Sequence, residues 1–273
     1  MWSALQAEGV ALFAISYDSV EILRAFADKH GITYPLLSDE GSHVIRRLGL
    51  VNEGVQDDHA HYGIPANPRH VGLPYPGTFA LDEDGIITRK RFHESYRVRD
   101  TGVGLLAWAL GQLKLVDDGA VTWEDEDAVR VRAWLDSPTY AFFQRVHLNV
   151  ELSVAPGFHV YGPPVPAGFV PLSMEVTPIE GVEIGTAEWP APHPLEVKGL
   201  DEQFWVHTGT VRGALALTFS APPGAGDHVI QVTVKYQACS TSACLVPMVL
   251  ALSLPAREVA LEGRELPSRE RSR

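Results

Sequence analysis

The sequence predicts an α/β domain followed by an all-β sandwich. Three observations carry that expectation. Residues 1–116 alternate short apolar runs with stretches of helical periodicity, residues 128–255 switch to an apolar period of two, and the segment between them is acidic. The length of 273 residues suits two domains, since roughly 150 residues make one.

In the first domain Val10-Ala11-Leu12-Phe13-Ala14-Ile15-Ser16 is a continuous apolar run, the pattern of a strand buried on both faces. Asp18 opens a D-x-x-E pattern closed by Glu21, which reads as a helix N-cap with a capping box. Leu23, Phe26, Ala27 and His30 follow at helical spacing, and Gly31 stops the helix. Thr78–Leu81 and Ile86–Thr88 read as two strands around the turn Asp82–Gly85. Leu106, Ala109, Leu110 and Leu113 mark a last helix. Residues 117–127 hold six acidic side chains and no basic one, as a solvated linker would. Beyond it the alternation is regular: Val146, Leu148, Val150, Leu152 and Val154; then Leu215, Leu217 and Phe219; then Ile230, Val232, Val234 and Tyr236. Short alternating strands joined by Pro/Gly-rich turns such as residues 222–227 make a β-sandwich. Residues 256–273 are polar, mixed in charge, and expected to fray.

Composition excludes several function classes. Lys+Arg total 22 against 34 Asp+Glu, a net charge of −12, and such a surface repels phosphate backbones, so nucleic acid is not an expected partner. The longest apolar stretch, such as Leu105–Leu110, is six residues, whereas a membrane-spanning helix needs about 20. The sequence as given opens without a basic region and apolar run, so it shows no signal peptide.

The two cysteines, Cys239 and Cys244, flank Ser240-Thr241-Ser242-Ala243 in a C-x4-C pair and admit three readings. One is a reversible dithiol that exchanges with a partner. Another is a structural staple, although closing so short a loop stabilises by only about 2 kcal/mol. The third is a metal site, which two thiols alone leave half-ligated. If Ile230 to Tyr236 face the core, parity turns Cys239 outward and leans Cys244 inward with Met248, Leu250 and Leu252. Asp57, Asp58, His59, His61 and His70 form a His-rich patch whose chemistry suits zinc or copper. Its surroundings read as a solvated loop, and no metal is assigned.

Further blocks carry a resemblance. Residues 9–19, Phe26–His30, Tyr34–Asp39 and Pro74–Asp82 with Gly85 resemble the middle of a peroxiredoxin of the alkyl hydroperoxide reductase/thiol-specific antioxidant type, over roughly residues 2–115. Pro156–Gly162, Trp189–Pro192 and above all Tyr236–Pro247 resemble the N-terminal domain of the thiol–disulfide interchange protein DsbD. The resemblances imply a thioredoxin-like α/β domain followed by an immunoglobulin-like sandwich. The first core strand and the turn bearing the catalytic cysteine have no counterpart in the sequence, as in a chain shortened at its N-terminus. They imply thiol–disulfide redox work through Cys239 and Cys244, in an exported, periplasmic parent, with a thioredoxin-like or membrane thiol–disulfide reductase as partner and no cofactor. Pro76 falls where thioredoxin-like proteins carry a cis-proline. Phe158, His159, Tyr161 and Tyr236 lie in the sandwich motifs, as near-site residues or as packing. Parity favours Cys239 as the attacking thiol. A non-catalytic binding module and an inactive product with a structural disulfide remain as alternatives.

Overall fold

The structure is a computed structural model that describes residues 2–7, 9–61, 65, 67–93, 95, 97–110, 121–124, 128–196, 203–221 and 224–259. The chain divides into two compact units, Met1–Gly102 and Val103–Arg273.

The first unit runs α1 (Trp2–Ala7), β1 (Ala14–Ser16), α2 (Val20–His30), β2 (Leu36–Ser38), α3 (His43–Arg47), α4 (Val55–His61), a 3-10 turn at Pro68–His70, β3 (Gly77–Leu81), β4 (Ile87–Phe92) and β5 (Arg99–Asp100). The expected helix after the first strand is present, capped one residue later than the D-x-x-E pattern suggested. The Ser19 side chain accepts from the Ile22 N–H, while Asp18 accepts from the Ser16 hydroxyl instead. Gly31 ends the helix at φ 61°, a left-handed conformation that glycine adopts without a Cβ penalty. The turn into α3 is held by Asp39, whose carboxylate accepts from the backbone N–H groups of Val44 and Ile45 at 3.0 and 2.9 Å. Burial works to raise the pKa of Asp39, but the N–H groups of Ile45, Val44 and His43 outweigh it and hold the carboxyl below the ordinary value.

The run Val10–Ser16 is not the doubly buried strand that its composition suggests. Only Ala14–Ser16 forms a strand, and Phe13 and Ile15 are 58% and 46% exposed. The reason is pairing. β1 pairs in parallel with β2, β3 pairs antiparallel with β4, and among the described residues the two pairs are not joined into one sheet within this unit. The apolar faces of Phe13, Ile15, Phe26 and Leu37 therefore lack the cover that a continuous parallel sheet gives.

In the second unit the helix α5 (Gly102–Leu110), which starts at the boundary, precedes β6 (Val121–Glu124), β7 (Val129–Leu135), β8 (Thr139–Tyr140), β9 (Gln144–Val154), β10 (Phe158–Tyr161), β11 (Ser173–Val176), β12 (Val182–Ile184), β13 (His193–Glu196), β14 (Gln203–His207), β15 (Thr210–Phe219), β16 (His228–Tyr236), β17 (Ala238–Ser240) and β18 (Met248–Glu258). These strands order as β12-β15-β9-β7-β6, as β11-β16-β18-β8, and as a smaller sheet β13-β14-β10-β17. The period-two residues form one core: Leu148, Leu152, Leu217, Ile230, Val234 and Tyr236 are fully enclosed. Each buried aliphatic side chain of this size stabilises by about 1.5–3 kcal/mol.

Three boundaries differ from the sequence reading. The division between the units falls after Gly102 rather than at 116, so α5 goes with the second unit. Part of the acidic linker is a strand: β6 pairs antiparallel with β7, with Val121 opposite Ala133 and Trp123 opposite Val131. Val121-Thr122-Trp123 is a β-favouring triplet, and the partly buried Trp123 packs against the core. The tail starts later than residue 256. β18 runs to Glu258, whose carboxylate accepts from the N–H groups of Gly224 and Gly226 at 2.6 Å each. Leu113 and residues 260–273 lie outside the described residues.

The unequal burial of the two units has a measurable consequence. In native-state hydrogen exchange, amides of β9, β15 and β16 should be protected by the full unfolding free energy of the sandwich, and those of β1 and β2 by much less. Equal, strong protection of β1 and β16 would contradict this.

Candidate functional site

The site is built where the chain changes sheets. β16 delivers Tyr236 into the main core, and the next strand, β17, pairs with β10 in the smaller sheet. Gln237 sits at the crossing and is buried. Its Oε1 accepts from the Val170 N–H at 3.2 Å, and its Nε2 donates to the Leu245 carbonyl at 3.1 Å. One side chain thus ties together the loop before β11 and the segment after the cysteines.

The crossing overturns the parity argument. Ala238 and Cys239 are consecutive and both buried, so the alternation of β16 does not carry through Gln237. Cys239 is 1% exposed and Cys244 is exposed, the reverse of the sequence expectation. The two are joined in a disulfide with an S–S distance of 2.06 Å and Cα atoms 4.0 Å apart. The turn between them satisfies itself: Ser240 N–H donates to the Ala243 carbonyl at 2.7 Å, and Ser240 Oγ accepts from the N–H groups of Ser242 and Ala243. Short hydroxyl side chains make such turns. Leu245 N–H closes the loop on the Ala238 carbonyl at 2.8 Å.

An aromatic wall backs the buried sulfur. Tyr161, Phe204 and Val206 enclose Cys239, with Val165, Phe169 and Leu195 around them. The Tyr161 ring lies 4.8 Å from Phe169, and Phe169 meets Phe204 edge-on at 5.3 Å. The Tyr161 hydroxyl is 3.7 Å from Cys244 Sγ. Burial raises the pKa of Tyr161, so at neutral pH the group is a hydroxyl donor beside the exposed sulfur.

His159 faces the same wall. It is directly opposite Cys239 in the β10–β17 register and meets Tyr161 edge-on at 5.3 Å. Burial first, and the neighbouring His193 second, hold its pKa below the ordinary histidine value, and the same two causes lower His207. A side chain at position 162 would collide with this group: a Cβ on Gly162 would stand 2.7 Å from Pro192 Cβ and 2.8 Å from His207 Nε2. Among the described residues no group of three His, Cys, Asp or Glu side chains is arranged to hold a metal ion.

The remaining sequence candidates lie elsewhere. Phe158 and Tyr236 pack with the main core on the other side of the strand crossing and do not line the disulfide. Pro76 belongs to the first unit. Its peptide bond is trans, the cis bond among the described residues being Pro163–Pro164, and the Pro76 carbonyl accepts from His93 N–H at the mouth of the β3–β4 hairpin. A trans proline just ahead of a strand removes no ladder donor and needs no cis geometry. The His-rich patch is helical rather than a loop over Val55–His61, and His59 is buried edge-on against His70 at 4.4 Å. The side chains of Asp58 and His61 lie outside the described residues. Sequence reasoning missed Gln237, Phe169, Phe204 and His193. A glutamine following a buried tyrosine at the end of a period-two run was the one readable sign of the crossing.

Residues 1–90 match the AhpC/TSA family, and residues 133–255 match the family described as thiol:disulfide interchange protein DsbD, N-terminal. The chain is 30% identical over 92 residues to a putative peroxiredoxin bcp of Coxiella burnetii (strain RSA 493 / Nine Mile phase I), a match covering 32% of this chain and 52% of that protein. It thus spans about half the length of the curated relative that it matches. Among solved structures it is similar to the N-terminal periplasmic domain of ScsB from Proteus mirabilis, with TM-score 0.36, 20% identity, and coverage of 50% of this chain and 49% of the other. It is also similar to the reduced DsbD n-terminal domain of Neisseria meningitidis, with TM-score 0.29, 14% identity, and coverage of 40% and 77%. A thioredoxin-like region is therefore followed by an immunoglobulin-like β domain, and both matched families are thiol–disulfide redox families.

Two outcomes follow from this packing. Gln237→Leu should destabilise the sandwich by about 1–3 kcal/mol for each buried group left unpaired, read as a lower urea midpoint. His159 and His207 have lowered pKa values in the fold, so the unfolded chain binds more protons as pH falls below about 6.5. The melting temperature of the sandwich should therefore drop between pH 7.5 and 5, and His207→Gln should flatten that slope. An unchanged slope would remove these histidines from the account.

Proposed function

We propose that the second unit is a thiol–disulfide exchange module working through Cys239 and Cys244. The observation that carries the reading is the asymmetry of the pair: one sulfur sealed behind Tyr161, Phe204 and Val206, the other exposed on a polar turn. A staple gains nothing from an exposed sulfur, whereas exchange requires one sulfur within reach of an incoming thiolate.

The geometry favours attack at Cys244. A partner thiolate forms a bond to Cys244 Sγ, the Cys239–Cys244 bond breaks, and its electron pair leaves on Cys239 Sγ. A second thiol of the partner then displaces Cys244, leaving the partner as a disulfide and this chain as a dithiol, a two-electron transfer. The Tyr161 hydroxyl, 3.7 Å from Cys244 Sγ, can donate to a thiolate that attacks there. The partner class is a thioredoxin-like or membrane thiol–disulfide reductase protein, and the compartment is an oxidising one outside the cytoplasm. The match of residues 133–255 to the DsbD N-terminal family supports this.

The first unit brings no thiol to the chemistry. The chain has two cysteines, both in the second unit, so this chain cannot perform peroxidatic attack through residues 1–238. Its match to the AhpC/TSA family supports a redox setting for the whole protein.

Single-cysteine variants test the reading. Cys239→Ser should accumulate a mixed disulfide with a thioredoxin-like partner through Cys244, and Cys244→Ser should accumulate far less. A redox titration should place the couple above about −300 mV. A potential well below that, with no trapped partner for either variant, would make the disulfide a staple. The chain should also consume hydrogen peroxide no faster than a variant lacking both cysteines.

A further inference from the structure

We propose that His159 is the proton carrier of the Cys239–Cys244 couple, taking the proton of the Cys239 thiol as the disulfide closes and returning it as the disulfide opens. The proposal rests on the redox reading above and assigns the proton that this reading leaves unplaced.

Opening the disulfide at Cys244 puts the leaving electron pair on Cys239 Sγ. That sulfur is 1% exposed, walled by Tyr161, Phe204 and Val206. A thiolate there has lost its water, and a buried charge without a partner is strongly disfavoured. The side chain opposite it is His159. In antiparallel register the two side chains share one face of the sheet, with Cβ atoms about 4.5–5.5 Å apart. His159 is itself 9% exposed, and its ring is set edge-on against Tyr161, which limits its rotation.

The titratable groups on the same face as His159 are Cys239 opposite it on β17, Tyr161 two residues on in its own strand and His193 on β13, while His207 pairs with Val160 and lies on the other face. Burial first and His193 second lower the imidazole pKa, which favours its neutral form. A neutral imidazole is the form that accepts a proton. During closure the Cys239 thiol gives its proton to His159, and the resulting thiolate attacks Cys244 Sγ of the mixed disulfide. The partner sulfur leaves with the electron pair, and the imidazolium releases its proton to that sulfur or to solvent. Opening reverses each step. Tyr161 does not take this role, because its hydroxyl addresses Cys244 and its pKa is raised.

The test uses the full chain and small-molecule thiols, so it does not depend on the partner protein. Imidazole resonances are titrated by NMR in the oxidised and reduced chain. The pKa of His159 should rise by about one unit or more on reduction. The rate of closure from the mixed disulfide with glutathione is then measured from pH 5 to 9. The native chain should reach a plateau near neutral pH. His159→Gln and His159→Phe, the latter keeping an aromatic ring against Tyr161, should close about tenfold more slowly at pH 6.5 and rise about tenfold per pH unit toward the native rate. A purely structural role would lower the rate by one factor at every pH. An unchanged His159 pKa on reduction, or variant profiles parallel to the native one, overturns the proposal. Failure of the native chain to exchange with glutathione at all would instead count against the redox reading, and the NMR titration would still decide on His159.

Discussion

The geometry of the Cys239–Cys244 disulfide depends on one constraint: the chain must pass from one sheet to another within a single residue, Gln237, without leaving a buried polar group unpaired. Tyr236 completes the main core and Ala238 already pairs with β10. The amide of Gln237 resolves the conflict by accepting from Val170 and donating to Leu245. Those two bonds fix the loop that brings Phe169 against Tyr161 and the segment that returns Cys244 to Cys239. The burial of one sulfur and the exposure of the other are consequences of this crossing rather than of the cysteine spacing.

In the proposed exchange, electron and proton handling separate in space: the exposed sulfur, with the Tyr161 hydroxyl beside it, is the one an outside thiolate reaches, and the buried sulfur is opposite His159. Burying the second sulfur keeps bulk water and stray thiols away from it. The same burial makes its charge costly, which is why a titratable neighbour at that register position matters. The first unit shows the opposite economy. Among its described residues the two strand pairs are not joined within the unit, its apolar side chains Phe13, Ile15 and Phe26 are exposed, and the Asp39 carboxylate holds the start of α3.

The sandwich was legible because burial on one face writes a period of two, and Val146–Val154 and Ile230–Tyr236 obey it without a break. The helix Val20–His30 was legible from its caps and spacing. Parity failed at Cys239 because it assumes one strand in one sheet, and the sequence carries no direct mark of a sheet change beyond Gln237. The double burial expected of Val10–Ser16 failed because composition reports what a strand can bury, not whether a neighbour is there to bury it. His193 and Phe204 were invisible because their relation to the cysteines exists only across strand pairings far apart in the chain.

The central claim is that the crossing at Gln237 makes the two sulfurs unequal, and differential alkylation tests it most directly. The fully reduced native chain is treated briefly with iodoacetamide, and modification of each cysteine is quantified by mass spectrometry. Cys244 should be modified at least about tenfold faster than Cys239, since accessibility and thiolate formation together govern the rate. Equal rates, or faster modification of Cys239, would contradict the account.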